Sequence, residues 1–343
     1  MRKITILIPA YNEAPNLPAL LSELEKLTAG TLPDVQLPPD AKPMTDYEWE
    51  FLFVDDGSRD DTLQILLDAR RHDPRINIVA LSRNFGKERA MPAGMDMARG
   101  DALVIIDADL QHPLRYIPEM VYWWDCKGYD DVYARRDIRG RESIWRKGLT
   151  SVFYKILHSD SGVEMLPGVG DFRLLDRKAF DAIRSLRESE RYTKGLYCWV
   201  GYKKKEISYH LADRHMGQST FSFIRLLNLA IDGITGFNTK PLRIASVAGI
   251  LSSIIAIFYG IYILVRTLIY GDPVAGFPTL VCLILFLGGL QLLAIGIIGE
   301  YIAKIFYESK RRPTYIIGSY NGEPVCLPSG AECMNPHLDY LRI

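Results

Sequence analysis

At 343 residues the chain exceeds a typical single domain and falls short of three, which leaves one full domain plus something smaller. Lys plus Arg and Asp plus Glu both number 41, so the net charge of zero gives no polycationic footprint for nucleic acid. The five cysteines have no zinc-knuckle spacing and read as reduced, cytosol-side thiols. Two basic residues and a short apolar run precede Tyr11, too little for a signal-peptide core, so the N-terminal half is expected in the cytoplasm.

Short β-rich runs alternate with helical patterns up to Ala134. Strands are predicted at Ile4 to Ile8, Trp49 to Val54, Ile76 to Leu81, Ala102 to Ile106 and Asp131 to Ala134. Helices are predicted between them, at Asn16 to Leu27, Asp61 to Arg71, Glu88 to Ala98 and Pro113 to Cys126, the last with Pro113 at its first position. Such alternation implies a mostly parallel α/β sheet with right-handed crossovers. Thr28 to Asp46 carries Pro33, Pro38, Pro39 and Pro43 without an apolar period and reads as a long surface loop.

The composition changes at Pro241. Ile244 to Val265 and Val274 to Gly299 lack charge, and each is long enough at about 1.5 Å per residue to cross a hydrocarbon core of about 30 Å. Lys240 and Arg243 flank the first run, and Lys304, Lys310, Arg311 and Arg312 flank the second, whereas Arg266 to Pro273 between them holds one Arg and one Asp. This asymmetry predicts a two-helix hairpin that enters and leaves from the cytoplasm. Upstream, Phe221 to Ile231 suits a helix on the membrane surface or an ordinary amphipathic core helix.

Two acidic turns follow apolar strands. Asp55, Asp56, Gly57 and Ser58 stand at a strand-to-helix turn, where open α/β sheets bind ligands, and suit hydrogen bonds to a base or ribose; plain N-cap and turn chemistry uses the same residues. Asp107 and Asp109, two apart at the end of another strand, can reach one hard cation, and Gln111 can add an amide oxygen. A nucleotide diphosphate would complete an oxygen shell of the kind Mg²⁺ or Mn²⁺ takes. Two acid pairs at strand ends of one sheet favour that reading over acids merely solvated at a loop mouth.

The ordered motifs PAYNE at 9–13, DDGSRDDT at 55–62, RNFGKE at 83–88, DADLQHP at 107–113, GDFRLLDR at 170–177 and RHMGQS at 214–219, with the C-terminal hairpin, resemble the family 2 inverting glycosyltransferases that act on polyprenyl phosphate. The chain is most similar there to the bactoprenol glucosyltransferases and more distantly to dolichol phosphate mannose synthase. The resemblance implies a GT-A nucleotide-sugar-binding, Rossmann-like domain over 1–218, juxtamembrane interfacial helices over 219–240, two transmembrane helices over 241–308 and a cytoplasmic tail over 309–343. It places the nucleotide near Pro9, Tyr11, Glu13, Asp55, Asp56 and Lys87, and Mg²⁺ or Mn²⁺ at Asp107, Asp109 and Gln111. It further implies a homo-oligomer, a tetramer, at the inner membrane.

The basic residues point to an anionic acceptor. Arg135, Arg136, Arg139, Arg141, Arg146 and Lys147 crowd the segment after the last predicted strand, and Arg214 and Ser219 precede the membrane-facing helix. Arginine's fork matches phosphate oxygens, so Arg135, Arg146, Lys147, Arg214 and Ser219 are candidate contacts to a lipid phosphate; a solvated face or anionic-lipid contact is the plain alternative. A phosphate monoester ionises with a second pKa of about 6, so no strong general base is required. Inverting displacement at the anomeric carbon is expected, with Asp109, Arg135 and Arg146 at the reacting groups and Asp171 as an orienting acid, unless Asp171 only pairs with Arg173 or Arg177. The family resemblance makes UDP-glucose the first expected donor, ahead of other UDP-sugars and GDP-mannose. The rival readings are a processive polysaccharide synthase, which needs a pore that two helices cannot easily line, and a non-catalytic sugar-nucleotide-binding scaffold.

Overall fold

The apolar run at the start of the chain forms a central strand, β1 (Lys3–Ala10), whose Ile4, Ile6, Leu7 and Ile8 have no solvent exposure, as a strand covered on both faces requires. The computed structural model describes residues 1–35, 37–136, 169–188, 191, 193–209, 240–270 and 276–325, which divide into two units. The first holds the described residues up to 209 together with 313–325, and the second holds those from 240 to 312.

The first unit adds β2 (Glu48–Asp55), β3 (Ile76–Leu81), β4 (Ala102–Ile105), β5 (Asp131–Arg136), β6 (Val169–Asp176), β7 (Lys204–Tyr209), β8 (Ile317–Tyr320) and β9 (Glu323–Pro324). These form one nine-stranded sheet in the order β7-β5-β6-β4-β1-β2-β3-β8-β9. β1 runs parallel to β2 and β4, β2 to β3, and β5 to β7, while β6 is antiparallel to β4 and β5. The sheet is therefore mixed, with the carboxyl ends of β1 to β5 and β7 along one edge. One face is covered by α1 (Leu17–Ala29), α2 (Thr62–His72) and α4 (Ile117–Asp125), which bury Leu20, Leu24, Leu66, Met120 and Trp124 with Ile4, Phe51, Val104 and Phe172. The other is covered by α3 (Lys87–Met97), α5 (Arg177–Ser185) and α6 (Thr193–Trp199), with Met91, Met95, Phe180, Ile183 and Tyr197 against Leu7, Leu52 and Ile105. Gly94 lets α3 lie directly on β1, since a Cβ there would stand 2.1 Å from a Leu7 methyl.

Sequence and structure differ in instructive places. Pro113 does not open α4: it precedes a 3₁₀ turn at Leu114–Tyr116, and Pro118 occupies the first helical turn, where its missing N–H is harmless. The expected loop over 28–46 is pinned rather than loose. Lys42 and Tyr47 meet Asp125 at 2.7 and 2.9 Å, Tyr122 and Lys127 reach Asp40, and Trp49 Nε1 donates to the Met44 carbonyl at 2.9 Å. The segment after Arg312 returns to the sheet. β8 pairs antiparallel with β3, and Asn321, at φ 55°, accepts from the Ile78 N–H at 2.8 Å and donates back to the Ile78 carbonyl at 2.8 Å. Tyr315 O–H donates to buried Asp96, which also takes a two-pronged contact from Arg187 at 2.6 and 2.8 Å.

The second unit holds α7 (Lys240–Tyr270) and α8 (Phe277–Ser309), each longer than the charge-free run that predicted it. Large apolar side chains including Ile250, Phe258, Ile284, Phe286 and Leu292 are exposed on them. Among the described residues, Phe286–Ser309 is the one stretch long and apolar enough by its length and composition to cross a membrane.

Candidate active site

The sequence-predicted acids gather at the carboxyl edge of β1, β2 and β4, where strands of an open α/β sheet hand the chain to exposed turns. Just past Pro9 and Ala10, which close β1, the Asn12 N–H donates to Ser58 Oγ at 2.9 Å, Asn12 Oδ1 accepts from Arg59 N–H at 2.8 Å, and the Glu13 N–H donates to Thr62 Oγ1 at 2.9 Å. The turns after β1 and β2 are thus stitched together, leaving Tyr11 41 % exposed as an aromatic face at the edge. Asp55 is buried and accepts from the Ser58 N–H at 3.2 Å; burial raises its carboxyl above the ordinary range. Asp56 uses both oxygens on backbone, accepting from Phe85 and Gly86 N–H at 2.7 and 2.8 Å at the start of α3. It thereby holds the RNFGK turn. Gly57 (φ 68°) lies so near this turn that a Cβ would stand 2.5 Å from the Arg83 carbonyl carbon.

The turn after β4 carries the other acids. Leu110 takes the left-handed conformation (φ 59°), the Gln111 N–H donates to Asp109 Oδ1 at 3.1 Å, and the Asp107 N–H donates to His112 Nδ1 at 3.1 Å. Burial lowers the His112 imidazole, which keeps the ring neutral. Glu13 is raised by burial first and then by the charges of Asp109 and Asp107, which places it at the same negative locus.

Lys87, the first residue of α3, crosses to this locus. Its Nζ contacts Asp107 Oδ1 and, at 2.8 Å, Asp171 Oδ2. Burial opposes the Asp171 charge, but Lys87 outweighs it, with Lys194 and Arg173 behind, and holds the carboxyl below the ordinary range. The same two carboxylates raise Lys87 against the effect of its own burial. Among the described residues, the buried Asp171 Oδ1 has no hydrogen-bond partner. The local pairings considered for Asp171 do not form: Arg173 pairs with Asp131 at 3.0 Å and Arg177 with Asp181 at 3.0 Å.

These residues fit a hard divalent cation. Asp107, Asp109 and Gln111 offer only oxygen donors, and a lysine ammonium already rests against Asp107, so the locus attracts positive charge. Among the described residues no group of three or more His, Cys, Asp or Glu side chains could hold a metal alone, so a metal here needs oxygens from a ligand such as a diphosphate. Of the candidate acceptor contacts, Arg135 is exposed at the end of β5 and lies 3.4 Å from Glu206 on β7. Arg146, Lys147, Arg214 and Ser219 lie outside the described residues. Sequence reasoning gave no role to His112 or to the 84-residue reach from Lys87 to Asp171; the QHP following the acids was the signal for the first.

The model of the family described as Glycosyl transferase family 2 matches residues 5–184, over both acid turns and Asp171. The chain belongs to that family. A second family, described as GtrB C-terminal hairpin, matches residues 240–305 of this glycosyltransferase. A candidate glycosyltransferase of Bacillus subtilis (strain 168), CsbB, is 41 % identical over 318 residues, covering 93 % of this chain and 92 % of that protein. The bactoprenol glucosyl transferase of Shigella phage SfV is 38 % identical over 315 residues, covering 92 % of this chain and 98 % of its own. Among solved structures, glucosyl-3-phosphoglycerate synthase from Mycobacterium tuberculosis with Mn²⁺, uridine diphosphate and glucosyl-3-phosphoglycerate is 17 % identical, with a TM-score of 0.41 over 68 % of this chain and 78 % of that one. With the mixed sheet above, family membership makes the first unit a GT-A-like α/β glycosyltransferase domain.

Proposed function

We propose that this glycosyltransferase moves a hexose, with inversion, from a UDP-sugar to polyprenyl (undecaprenyl) phosphate at the cytoplasmic face of the inner membrane. The observation that carries the proposal is the convergence of Asp107, Asp109, Lys87 and Asp171 at one sheet edge in a chain that also matches a C-terminal hairpin family. The relative named bactoprenol glucosyl transferase, matched over nearly its whole length, supports the polyprenyl-type acceptor and makes UDP-glucose the first donor to test. In this reading α7 and α8 both span the bilayer, with their basic flanks and both termini on the cytoplasmic side.

The residues divide the work. Tyr11 and Asp55 lie where a base and ribose would bind, and Asp56 fixes the turn that presents Lys87. Asp107, Asp109 and Gln111 would hold Mg²⁺ or Mn²⁺, which when bound supplies charge neutralisation to the leaving diphosphate. Lys87 adds a second positive charge beside the same oxygens. Asp171, kept ionised by Lys87, has one oxygen without a partner among the described residues, with which it would orient a hydroxyl of the sugar. The acceptor phosphate brings its own nucleophilic oxygen, so Asp171 positions rather than deprotonates. Arg135, with Arg146, Lys147, Arg214 and Ser219, is proposed to bind that phosphate, releasing its long contact to Glu206.

The test is Asp109→Asn in the full chain, assayed for transfer of labelled sugar into an organic extract. The substitution should abolish most turnover while the melting temperature stays near that of the wild type. Retained turnover in the variant, or full wild-type activity in excess chelator, would refute the metal assignment.

A further inference from the structure

His112 has no part in the chemistry just described, yet it lies buried directly behind the acid turn. Its Nδ1 accepts the Asp107 N–H at 3.1 Å, closing a loop from Asp107 to His112 that contains Asp109, the left-handed Leu110 and Gln111. The ring stacks on Phe172, with centroids 4.9 Å and planes 15° apart, and Tyr209 meets both rings edge-on at 6.3 and 5.7 Å. Phe172 follows Asp171 in β6, and Tyr209 ends β7. One imidazole therefore joins the turn after β4 to the strand that carries Asp171 and to the end of β7.

Each half of the ring has a distinct task. A non-glycine residue is disfavoured in the left-handed region, so the turn needs a tether to persist. An acceptor for the Asp107 N–H supplies the tether, and only a ring unprotonated at Nδ1, with its hydrogen on Nε2, can accept there. The stacked face sets how far the turn stands from Phe172 and hence from Asp171.

We propose that His112 is a positioning residue for the acid turn, presetting Asp107, Asp109 and Gln111 for a divalent cation through its Nδ1 acceptor. This rests on the metal assignment in the proposed function. Two substitutions separate the tasks: His112→Asn keeps an acceptor near the Nδ1 position, whereas His112→Phe keeps the stacked ring and removes the acceptor.

The experiment measures Mn²⁺ binding with saturating UDP present, by calorimetry or electron paramagnetic resonance, on full-length protein in neutral detergent, with a thermal melt of each variant. Loss of a group that orients a metal ligand weakens metal affinity by about 10- to 100-fold, and His112→Phe should fall in that range at a near-wild-type melting temperature. His112→Asn should stay close to wild type. In the wild-type protein, ¹⁵N spectra of the histidines should place the His112 hydrogen on Nε2, a reading that decides the question alone if neither variant folds. Wild-type Mn²⁺ affinity in His112→Phe, equal losses in both variants, or a hydrogen on Nδ1 in the wild type would each overturn the proposal. Wild-type protein that binds no Mn²⁺ even with UDP present would overturn the metal assignment and this role together, and differs from failure of His112 alone because the latter leaves wild-type binding intact.

Discussion

Replacing Lys87 by Met removes an ammonium that touches both Asp107 and Asp171 in this site. The Asp171 side chain is only 10 % exposed, and a charge-assisted hydrogen bond to such a group is worth about 1.5–3 kcal/mol. The Lys87 side chain is 39 % exposed, so solvent screening pulls the figure toward the lower end; the Asp107 contact, 30 % exposed at the acid, adds at most about 0.5 kcal/mol. A loss of about 2 kcal/mol should lower the melting temperature by about 4–8 °C for a domain of this size. Asp171 is depressed below its reference of 3.8, so its contribution is present above that value and is lost as pH falls through the lower folded value. Lys87 is raised above 10.5, so its contribution is present below that value and is lost only at still higher pH. The gap between wild type and Lys87→Met should therefore be full at neutral pH and narrow on acidification, once Asp171, raised by burial when Lys87 is gone, takes up its proton in the variant. Paired thermal melts from neutral to acid pH are the assay. Equal melting temperatures at neutral pH, or a gap that widens on acidification, would refute the pairing.

Two further outcomes follow from packing. Gly57 and Gly30 both have positive φ, but a Cβ at Gly57 meets the Arg83 backbone whereas one at Gly30 meets nothing within 4 Å. In urea denaturation Gly30→Ala should cost about 1–2 kcal/mol from backbone strain alone, and Gly57→Ala clearly more, with weakened UDP-sugar binding; equal costs would contradict the loop contact. Tyr315→Phe removes one donor from buried Asp96 while Arg187 remains, so stability should fall by about 1–2 kcal/mol without loss of UDP-sugar affinity. An unchanged melting temperature there would detach the returning segment from the sheet domain.

The parts legible in the sequence were those set by local pattern. The strands from Ile4, Trp49, Ile76 and Ala102 formed where apolar runs end at turn residues, and the acids at 55–56 and 107–109 stand at their carboxyl ends. What escaped depends on distant partners. β8 is a short Ile-Gly-Ser-Tyr run whose partner β3 lies more than two hundred residues earlier, so no periodicity marks it. Asp171 has Arg173 and Arg177 as neighbours in sequence, yet the strand turns Arg173 toward Asp131 and leaves Asp171 for Lys87 on α3. Asp56 has the look of a ligand-binding acid in the sequence but spends both oxygens on the Phe85 and Gly86 amides, which only folding brings near. The 28–46 segment has no apolar period because polar contacts to Asp125, Tyr122 and Lys127 hold much of it.

The most direct test of the account is a two-substrate transfer assay on purified full-length protein in detergent, with labelled UDP-glucose, Mn²⁺ and polyprenyl phosphate supplied or withheld. The account predicts label in the organic phase as a single sugar on the lipid phosphate, dependent on the acceptor and inverted at the anomeric carbon. Label that appears as free sugar or as a water-soluble polymer, or lipid labelling that proceeds equally without polyprenyl phosphate, would contradict it.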